Sequence, residues 1–278
     1  MITLSSTIVR HLLKSGDVKD YCPFQVKKLM DGEYELSGEA IQFGLFFETI
    51  ALGKGLRGSK VEDLPRKKNG EKRVTQLRIE SQAEKFKELC VKYGIIIAEE
   101  NTQVTIWKKL SEGVFLQGNL DICPVGVNDP RYGNTLGIID LKLTKNLDNT
   151  FGDYAWAVPH LIDMIQSQIY LYLVEDLDLE LNSHLPKEIF EIVARRGKEF
   201  QFYYWIFEHS PPKNQSLRNK IMPVEKNALR RMEMLESLRK AYKLIKYHEE
   251  SGWDKRKVDC ERCPVTECDY NPSLRTRL

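Results

Sequence analysis

Two aspartates and a lysine on neighbouring apolar segments have residue types and spacing that predict chemistry. Asp121 lies in QGNLDICPV, while Asp140 and Lys142 lie in GIIDLKLT, and eighteen residues separate the two aspartates. That interval accommodates a strand end, a turn and a return strand, so the three side chains can converge at one sheet edge. Buried carboxylates need a counter-charge or a metal, and hard divalent cations prefer oxygen ligands. The pattern therefore predicts a magnesium or manganese site suited to phosphate chemistry.

Side-chain alternation along the second segment favours a common face for its two charges. In a strand, Asp140 and Lys142 point to one side and their apolar neighbours to the other. A lysine beside a bound cation can stabilise a pentacovalent phosphate or help to deprotonate an attacking water. The chemistry predicted is phosphodiester hydrolysis. The alternative is a structural ion pair, because such spacings are common in a chain with 29% charged residues.

Two predicted helices carry further polar candidates. In SGEAIQFGLFFETIALG, the apolar residues at 43, 47 and 50 recur at helical spacing and leave Glu48 on the flank, either as a third carboxylate ligand or as a solvent-facing glutamate. In DYAWAVPHLIDMIQSQIYLYLVEDL, Gln166 and Tyr170 are four residues apart and therefore adjacent on the helix surface. Gln168 and Tyr172 satisfy the same spacing on another face, so the register stays open.

The motif residues, taken in chain order, resemble the RecB-type branch of the PD-(D/E)xK nucleases: Glu48, Gly118 with Asp121, Asp140-x-Lys142 and Gln166-x-x-x-Tyr170. The resemblance spans most of the chain. It implies an α/β (α+β) fold of the restriction-endonuclease kind, with a mixed central sheet flanked by helices. It also implies the metal ligands Glu48, Asp121, Asp140 and the backbone carbonyl of Leu141. Lys142 would then be the catalytic lysine, with Gln166 and Tyr170 beside it.

Cysteines near the two ends predict a second metal centre. Cys260, Cys263 and Cys268 form C-x2-C-x4-C, and Cys22 stands alone near the N-terminus. Three close thiols indicate zinc or an iron-sulfur cluster. The pattern is similar to RecB-type nucleases of the AddB and CRISPR-associated kinds, in which one cysteine before the core and three after it hold a 4Fe-4S cluster. The resemblance implies that this cluster joins the terminal segments here, with zinc as the alternative.

The remaining cysteines and the composition indicate a globular protein of a reducing compartment. Cys90 and Cys123 sit among apolar residues and are predicted to be buried core thiols. Six cysteines in 278 residues are too few for a disulfide framework, and MITLSSTIVRHLLKSGDVKDY lacks the apolar run of a secretion signal. We therefore expect a cytoplasmic protein of bacterial, archaeal, phage or viral origin. No apolar run approaches eighteen residues, so no membrane contact is expected.

Charge and motifs narrow the function class. The net charge is only +2, but positive residues cluster in residues 53–74 and 251–263, as phosphate-contacting surfaces or as solvated loops. A nucleotide phosphate loop is missing, which argues against an ATP-driven motor.

We therefore expect a metal-dependent deoxyribonuclease, an exonuclease acting on single strands or duplex ends. The alternative is a non-cleaving module that binds DNA ends or recombination or CRISPR adaptation proteins. Polarity, RNA cleavage and oligomeric state stay open.

The elements that must position these residues follow from periodicity. We predict helices over residues 5–30, 40–53 and 81–94, strands over 102–109, 113–125 and 135–144, and two strands about Gly197 in residues 188–210. Tyr203 and Trp205, on the second of these strands, lie either in packing or against nucleic-acid bases. A helix over 223–250 is expected to bury its apolar stripe: Ala228, Met232, Leu235, Leu238, Tyr242 and Ile245. The chain reads as a single domain over 1–278, with a nuclease core over 40–210 and a cluster-binding part from 1–35 and 223–278.

Overall fold

The computed structural model describes residues 1–13, 21–33, 39–53, 64–147 and 165–256. In chain order, its elements are β1 (Ile2–Leu4), α1 (Ser6–Leu13), α2 (Pro23–Met30), α3 (Glu39–Leu52), α4 (Val74–Lys92), β2 (Thr102–Ser111), β3 (Val114–Asp129), β4 (Gly133–Thr144), α5 (Ile165–Val174), α6 (Lys187–Arg196), β5 (Gln201–Glu208), β6 (Asn219–Val224) and α7 (Ala228–Ser251). A short 3-10 helix, Gly197–Glu199, links α6 to β5. Within the described ranges, no helix is both long enough and apolar enough to cross a membrane.

The chain divides into two compact units. One unit comprises Met1–Ser37, Lys109–Gln117 and Asn227–Leu278, and the other comprises Gly38–Lys108 and Gly118–Lys226. The division of the chain into a nuclease core and a cluster-binding part stays a prediction.

The unit built from both chain ends is mainly helical. Helix α1 packs on both α2 and α7. β1 pairs in parallel with the start of β3, where Ile2 is opposite Val114. The Tyr21 hydroxyl and His248 Nε2 share a buried hydrogen bond of 2.6 Å, which joins the residue before Cys22 to the last turn of α7. These contacts bring the N-terminal segment onto the C-terminal helix.

The other unit contains a mixed sheet. β3 and β4 pair antiparallel, β4 and β5 pair in parallel, and β5 and β6 pair antiparallel. The register aligns Asp140 of β4 with Tyr204 of β5, and Tyr204 in turn with Met222 of β6. The fold is therefore α/β with a central mixed sheet flanked by helices, which confirms the expected fold class at that level.

Helices α3 and α4 cover one face of this sheet. Phe47 of α3 contacts Phe207, and Phe86 of α4 contacts Trp205, at ring-centroid distances of 5.0 and 5.8 Å. Ile122 and Ile139 from β3 and β4 belong to the same buried cluster. Because side chains alternate along a strand, the residues between these positions point to the opposite face.

Helix α5 lies on that opposite face. Its Tyr170 ring is 6.1 Å from the ring of Phe202. Both faces of β5 are thus buried, which explains its nearly continuous apolar run QFYYWIFE. The base-stacking alternative for Tyr203 and Trp205 was wrong, because both side chains are fully buried in the cluster under α3 and α4.

Two predicted elements near the chain ends differ from the structure. The helix expected over residues 5–30 is interrupted: α1 ends at Leu13, and α2 begins at Pro23 after an extended Cys22. A proline disfavours helical backbone in the residue before it and is favoured at the first helical position, so the second helix starts there. The helix expected from residue 223 begins only at Ala228, since residues 219–224 form β6.

Two predicted apolar patterns were also wrong. Residues 187–196 form helix α6, not a strand, because Ile189 and Val193 are buried four residues apart, at helical spacing. On α7, Leu238 and Ile245 are buried as predicted, but the other buried residues are Met234, Ala241 and His248, whereas Met232 is 67% exposed. Helix α7 carries apolar residues on more than one face, so periodicity alone did not identify the buried one.

Candidate active site

Strands β3 and β4 bring two carboxylates together inside the larger unit. Asp121 and Asp140 are 7% and 2% exposed. The Leu141 backbone N–H donates to Asp121 Oδ2 at 2.7 Å. Ile139 and Leu141, the strand neighbours of Asp140, belong to the buried apolar cluster, so Asp140 faces the side of the sheet that α5 covers. The two aspartates of the sequence motif therefore meet across adjacent strands.

Lys142 is the most accessible of the three motif side chains. Its Nζ is 2.5 Å from Asp140 Oδ2, and the lysine side chain is 27% exposed, compared with 3% for the Asp140 side chain. The ammonium also lies 5.7 Å from the centroid of the Tyr204 ring. An ammonium held by a buried carboxylate, with its outer side open to solvent, can meet an anionic ligand.

Helix α5 supplies the amide and the phenol. Gln166 Nε2 donates to Asp140 Oδ1 at 3.1 Å and to the Tyr170 hydroxyl at 3.2 Å. Burial, followed by the charges of Asp140 and Asp121, raises the pKa of Tyr170 above its usual value, so the phenol stays protonated. Of the two registers, the structure brings Gln166 and Tyr170 to the carboxylates. Tyr172, by contrast, lies with its ring 4.6 Å from the ammonium of Lys108.

The charges of Lys142 and Asp140 act on the carboxyl group of Glu48 in α3. Burial raises the pKa of Glu48 to about 7, with the charge of Lys142 lowering it and that of Asp140 raising it. Burial likewise raises the pKa of Asp121 well above its usual value, and the charges of Glu48 and Asp140 raise it further. These shifts arise because burial disfavours an ionised carboxyl group, and a neighbouring carboxylate disfavours that form further.

The oxygen atoms of these carboxylates suit a hard cation, although the side chains do not form a complete metal site. If ionised, the three carboxylates outnumber the positive charge of Lys142, and a divalent ion with oxygen ligands would offset the surplus. Within the described residues, no three His, Cys, Asp or Glu side chains already form a metal-binding group. At Asp140, the Lys142 ammonium contacts the Oδ2 atom. Metal binding by Glu48, Asp121, Asp140 and the Leu141 carbonyl therefore stays a prediction.

Sequence reasoning predicted no role for Gln103 and no packing role for Gly118, both of which support this group. Gln103, at the start of β2, donates from Nε2 to Asp121 Oδ1 at 3.3 Å. Gly118 of β3 allows α5 to approach closely, since a Cβ atom there would lie 2.5 Å from Leu173 Cδ1 and 3.0 Å from Tyr170 Cε1. Gly118 was quoted as part of the family motif, but its packing role was not predicted, and no spacing signal marked Gln103.

A third missed residue, Lys108 of β2, holds the C-terminal end of α5. Its ammonium is buried and donates to the backbone carbonyls of Tyr172 at 2.9 Å and Asp176 at 3.2 Å, and also to that of Glu175. The last carbonyls of a helix have no partner within the helix and carry partial negative charge, so a cation there is favourable. Lys108 therefore fixes the helix that carries Gln166 and Tyr170.

Only one of the four cysteines expected to bind a cluster is in the described part of the chain. Cys22 is buried, and its thiol accepts a hydrogen bond from the Arg256 backbone N–H at 3.4 Å. Cys260, Cys263 and Cys268 lie outside the described residues. Cys90 and Cys123 are buried, as predicted, and burial raises the pKa of Cys90 to about 12 and that of Cys123 still higher.

Comparison with known proteins identifies a shared fold. The crystal structure at 2.19 Å resolution of a Eubacterium rectale protein that carries the name putative exonuclease is similar with a TM-score of 0.50 and 15% identity. The match covers 95% of this chain and 93% of that chain. At this identity the similarity shows the fold alone. No protein-family model matches the chain, and no curated protein matches it by sequence.

Proposed function

We propose that this protein is a metal-dependent deoxyribonuclease that hydrolyses phosphodiester bonds. One observation carries the proposal: Gln166 and Lys142 contact the buried Asp140, Asp121 is held beside it by the Leu141 N–H, and the charges of Lys142 and Asp140 shift the pKa of Glu48. Buried polar groups of this kind are costly to fold around, and strongly shifted pKa values concentrate at functional sites. The shared fold supports the proposal, because the Eubacterium rectale neighbour is named for exonuclease activity.

The carboxylates are proposed to hold Mg²⁺ or Mn²⁺. Asp121, Asp140 and Glu48, with the Leu141 carbonyl, would supply hard oxygen ligands. When bound, the cation would lower the pKa of a water molecule and offset charge on the phosphate. The carboxylates must lose their protons to bind it, so the raised pKa values of Glu48 and Asp121 imply weaker binding at acidic pH.

The remaining side chains are proposed to act on the phosphate and the water. Lys142 is the solvent-reaching cation of the group, and its ammonium would stabilise the extra negative charge that develops on the phosphate oxygens. Gln166 donates to Asp140 and would keep that carboxylate oriented while Lys142 turns to the substrate. Tyr170, protonated and bonded to Gln166, would fix the amide.

Cleavage assays test this proposal directly. The protein, purified without oxygen, would be incubated with end-labelled single-stranded DNA, duplex DNA and RNA, in Mg²⁺, in Mn²⁺ and with a chelator. We expect DNA cleavage only with a cation, and progressive shortening from one end, which also reveals the polarity. Asp140→Asn should abolish cleavage. Asp178 caps a turn outside the site, so the Asp178→Asn variant should cut at the wild-type rate.

Two results would contradict the nuclease proposal. Cleavage that persists undiminished in chelator would remove the role of the cation. Tight binding to DNA ends with no cleavage under any of these conditions would instead favour the non-cleaving module. This module is the second candidate because no complete metal-binding group is formed among the described residues. In that case Asp140→Asn should leave the affinity for DNA unchanged.

We further propose that Cys22, Cys260, Cys263 and Cys268 hold a 4Fe-4S cluster, with zinc as the alternative. The supporting contact is the Arg256 N–H bonded to the Cys22 thiol. Cys260 follows Arg256 by four residues in the sequence. Visible absorbance with iron and sulfide in equal amounts is expected, and Cys22→Ala should lose both. Zinc alone in the purified protein would contradict the cluster.

A further inference from the structure

Gln103 contacts Asp121, and the backbone of Gln103 itself has an unfavourable conformation. It lies near the start of β2 with φ of 53°, in the left-handed region that side chains other than glycine rarely adopt. From there its amide reaches across to β3 and donates to Asp121 Oδ1. Residues kept in strained conformations concentrate at functional sites, and the observed outlier is a reason to look for a role.

The neighbouring Asn101 explains why the strained conformation persists. Asn101 Oδ1 accepts the Ala98 N–H at 2.9 Å, and Asn101 Nδ2 donates to the Pro124 carbonyl at 3.3 Å. The Asn101 carbonyl accepts the Cys123 N–H at 2.8 Å. The turn that precedes Gln103 is therefore tied to the same stretch of β3 that carries Asp121. The backbone of Gln103 is fixed relative to the carboxylate that its side chain contacts.

Both oxygens of Asp121 are consequently held. Oδ1 accepts from Gln103 Nε2 at 3.3 Å, and Oδ2 accepts from the Leu141 N–H at 2.7 Å. Two neutral donors on opposite oxygens fix the rotation of the carboxylate and leave further lone pairs for another partner. A charged donor would instead neutralise the group and compete with a cation.

The amide of Gln103 presents its N–H side to Asp121, and Oε1 points away. An ionised carboxylate, the form that binds a cation, would repel Oε1, so this orientation suits the metal-binding form of Asp121. Oε1 is buried and has no hydrogen-bond partner among the described residues. Among the described residues, the bond to Asp121 is thus the hydrogen bond that the Gln103 side chain makes.

We propose that Gln103 is a positioning residue that presents Asp121 to the divalent cation. The inference rests on the proposed nuclease function and extends it to a residue outside the D...DxK pattern. Its effect is on the orientation of a ligand, so it should govern affinity for the cation and turnover, and leave the affinity for DNA unchanged. Groups that orient metal ligands typically contribute roughly 10- to 100-fold in metal affinity or activity.

The test compares variants that separate the side chain from the backbone. Gln103→Leu removes the amide and keeps the strain, whereas Gln103→Gly removes the amide and relieves the strain. Gln201→Leu is the matched control, because Gln201 is a partly buried glutamine at the start of β5 that donates to the Val224 carbonyl, away from the carboxylates. Mn²⁺ affinity is measured without DNA by electron paramagnetic resonance, and kcat and KM are measured with single-stranded DNA.

We expect both Gln103 variants to bind Mn²⁺ at least 10-fold more weakly than the wild type and to lose kcat with KM unchanged, while Gln201→Leu keeps wild-type values. Gln103→Gly should unfold at a temperature no lower than Gln103→Leu, so it decides the question if the leucine variant does not fold. Wild-type Mn²⁺ affinity in Gln103→Gly would overturn the positioning role, as would a raised KM with unchanged Mn²⁺ affinity. A wild-type protein that neither binds Mn²⁺ nor cuts would overturn the nuclease function itself.

Discussion

Adding one methyl group at Gly118 should disturb the site through packing alone. In Gly118→Ala, the new Cβ would stand 2.5 Å from Leu173 Cδ1, closer than Cβ atoms approach in folded proteins, and 3.0 Å from Tyr170 Cε1, a tight contact. Leu173 is fully buried, and Tyr170 is nearly so. Because both residues are on α5, the strain is relieved by moving that helix away from β3, or by forcing the two side chains out of their rotamers.

The expected magnitude follows from these distances. Overpacking a filled core costs about 1–3 kcal/mol. Replacing a strand glycine with alanine returns roughly 0.5–1 kcal/mol through lower backbone entropy of the unfolded chain. The net loss in the free energy of unfolding is therefore on the order of 1–2 kcal/mol. Catalysis should suffer more, because the Gln166–Asp140 hydrogen bond of 3.1 Å fails if α5 moves by about half an ångström.

Urea unfolding and cleavage rates measure the two effects. Gly126→Ala is the matched control on the same strand, since nothing lies within 4 Å of a Cβ there. It should keep the wild-type rate and be as stable as the wild type or slightly more so. Gly118→Ala should lower the stability by the amount above and reduce kcat, by roughly 100-fold if the displacement reaches about 1 Å.

A double-mutant cycle identifies the contact that causes the loss. Leu173→Ala removes the nearest atom, so the double variant should be more stable than the sum of the two single changes predicts, by at least about 1 kcal/mol. A strictly additive result, or a Gly118→Ala protein with wild-type stability and rate, would refute the claim that α5 is positioned by its contact with Gly118.

Three further predictions concern charge. The pKa of Glu48 is about 7 in the folded protein, above its ordinary 4.5, so the folded state keeps a proton that the unfolded state has lost. The free energy of unfolding of the metal-free protein should therefore fall as pH rises from about 4.5 to 7, and Glu48→Gln should flatten this slope. Lys142→Met should reduce kcat by roughly 100- to 1,000-fold in a cleavage assay, with the circular dichroism spectrum unchanged. Lys108→Met should remove a donor to the carbonyls at the C-terminal end of α5, cost about 1–3 kcal/mol and speed hydrogen exchange in that helix; unchanged exchange would contradict its capping role.

The central strands could be predicted because charged residues interrupt their apolar runs. Asp140 and Lys142 interrupt a segment of isoleucines and leucines, and only one alternation puts both charges on one side. The three strands β2, β3 and β4 could be located from their apolar patterns. A buried polar residue carries more information than an apolar one, because it needs a specific partner to be tolerated.

Apolar periodicity was ambiguous wherever a helix carried hydrophobic residues on two faces. On α7, Met232 and Met234 both belong to stripes of acceptable spacing, and only the packing of α7 on α1 selects the second. In α6, Ile189 and Val193 are β-branched residues, which are enriched in strands, yet they bury one helical face. Tertiary contacts determine which face is buried in both helices, and local sequence patterns do not encode those contacts.

The part of the site that escaped prediction is the part that orients the carboxylates. Gln103, Lys108 and Gly118 act through distances between elements that are far apart in the chain. A common amide and an ordinary lysine show no distinctive spacing, and the motif glycine gave no indication of its packing role. Their contribution follows from the cost of the group they support. Buried carboxylates need hydrogen-bond donors and close packing to keep one orientation, so the dry site requires a scaffold as specific as its ligands. Substitutions in that scaffold should therefore impair turnover while every residue of the D...DxK motif is intact.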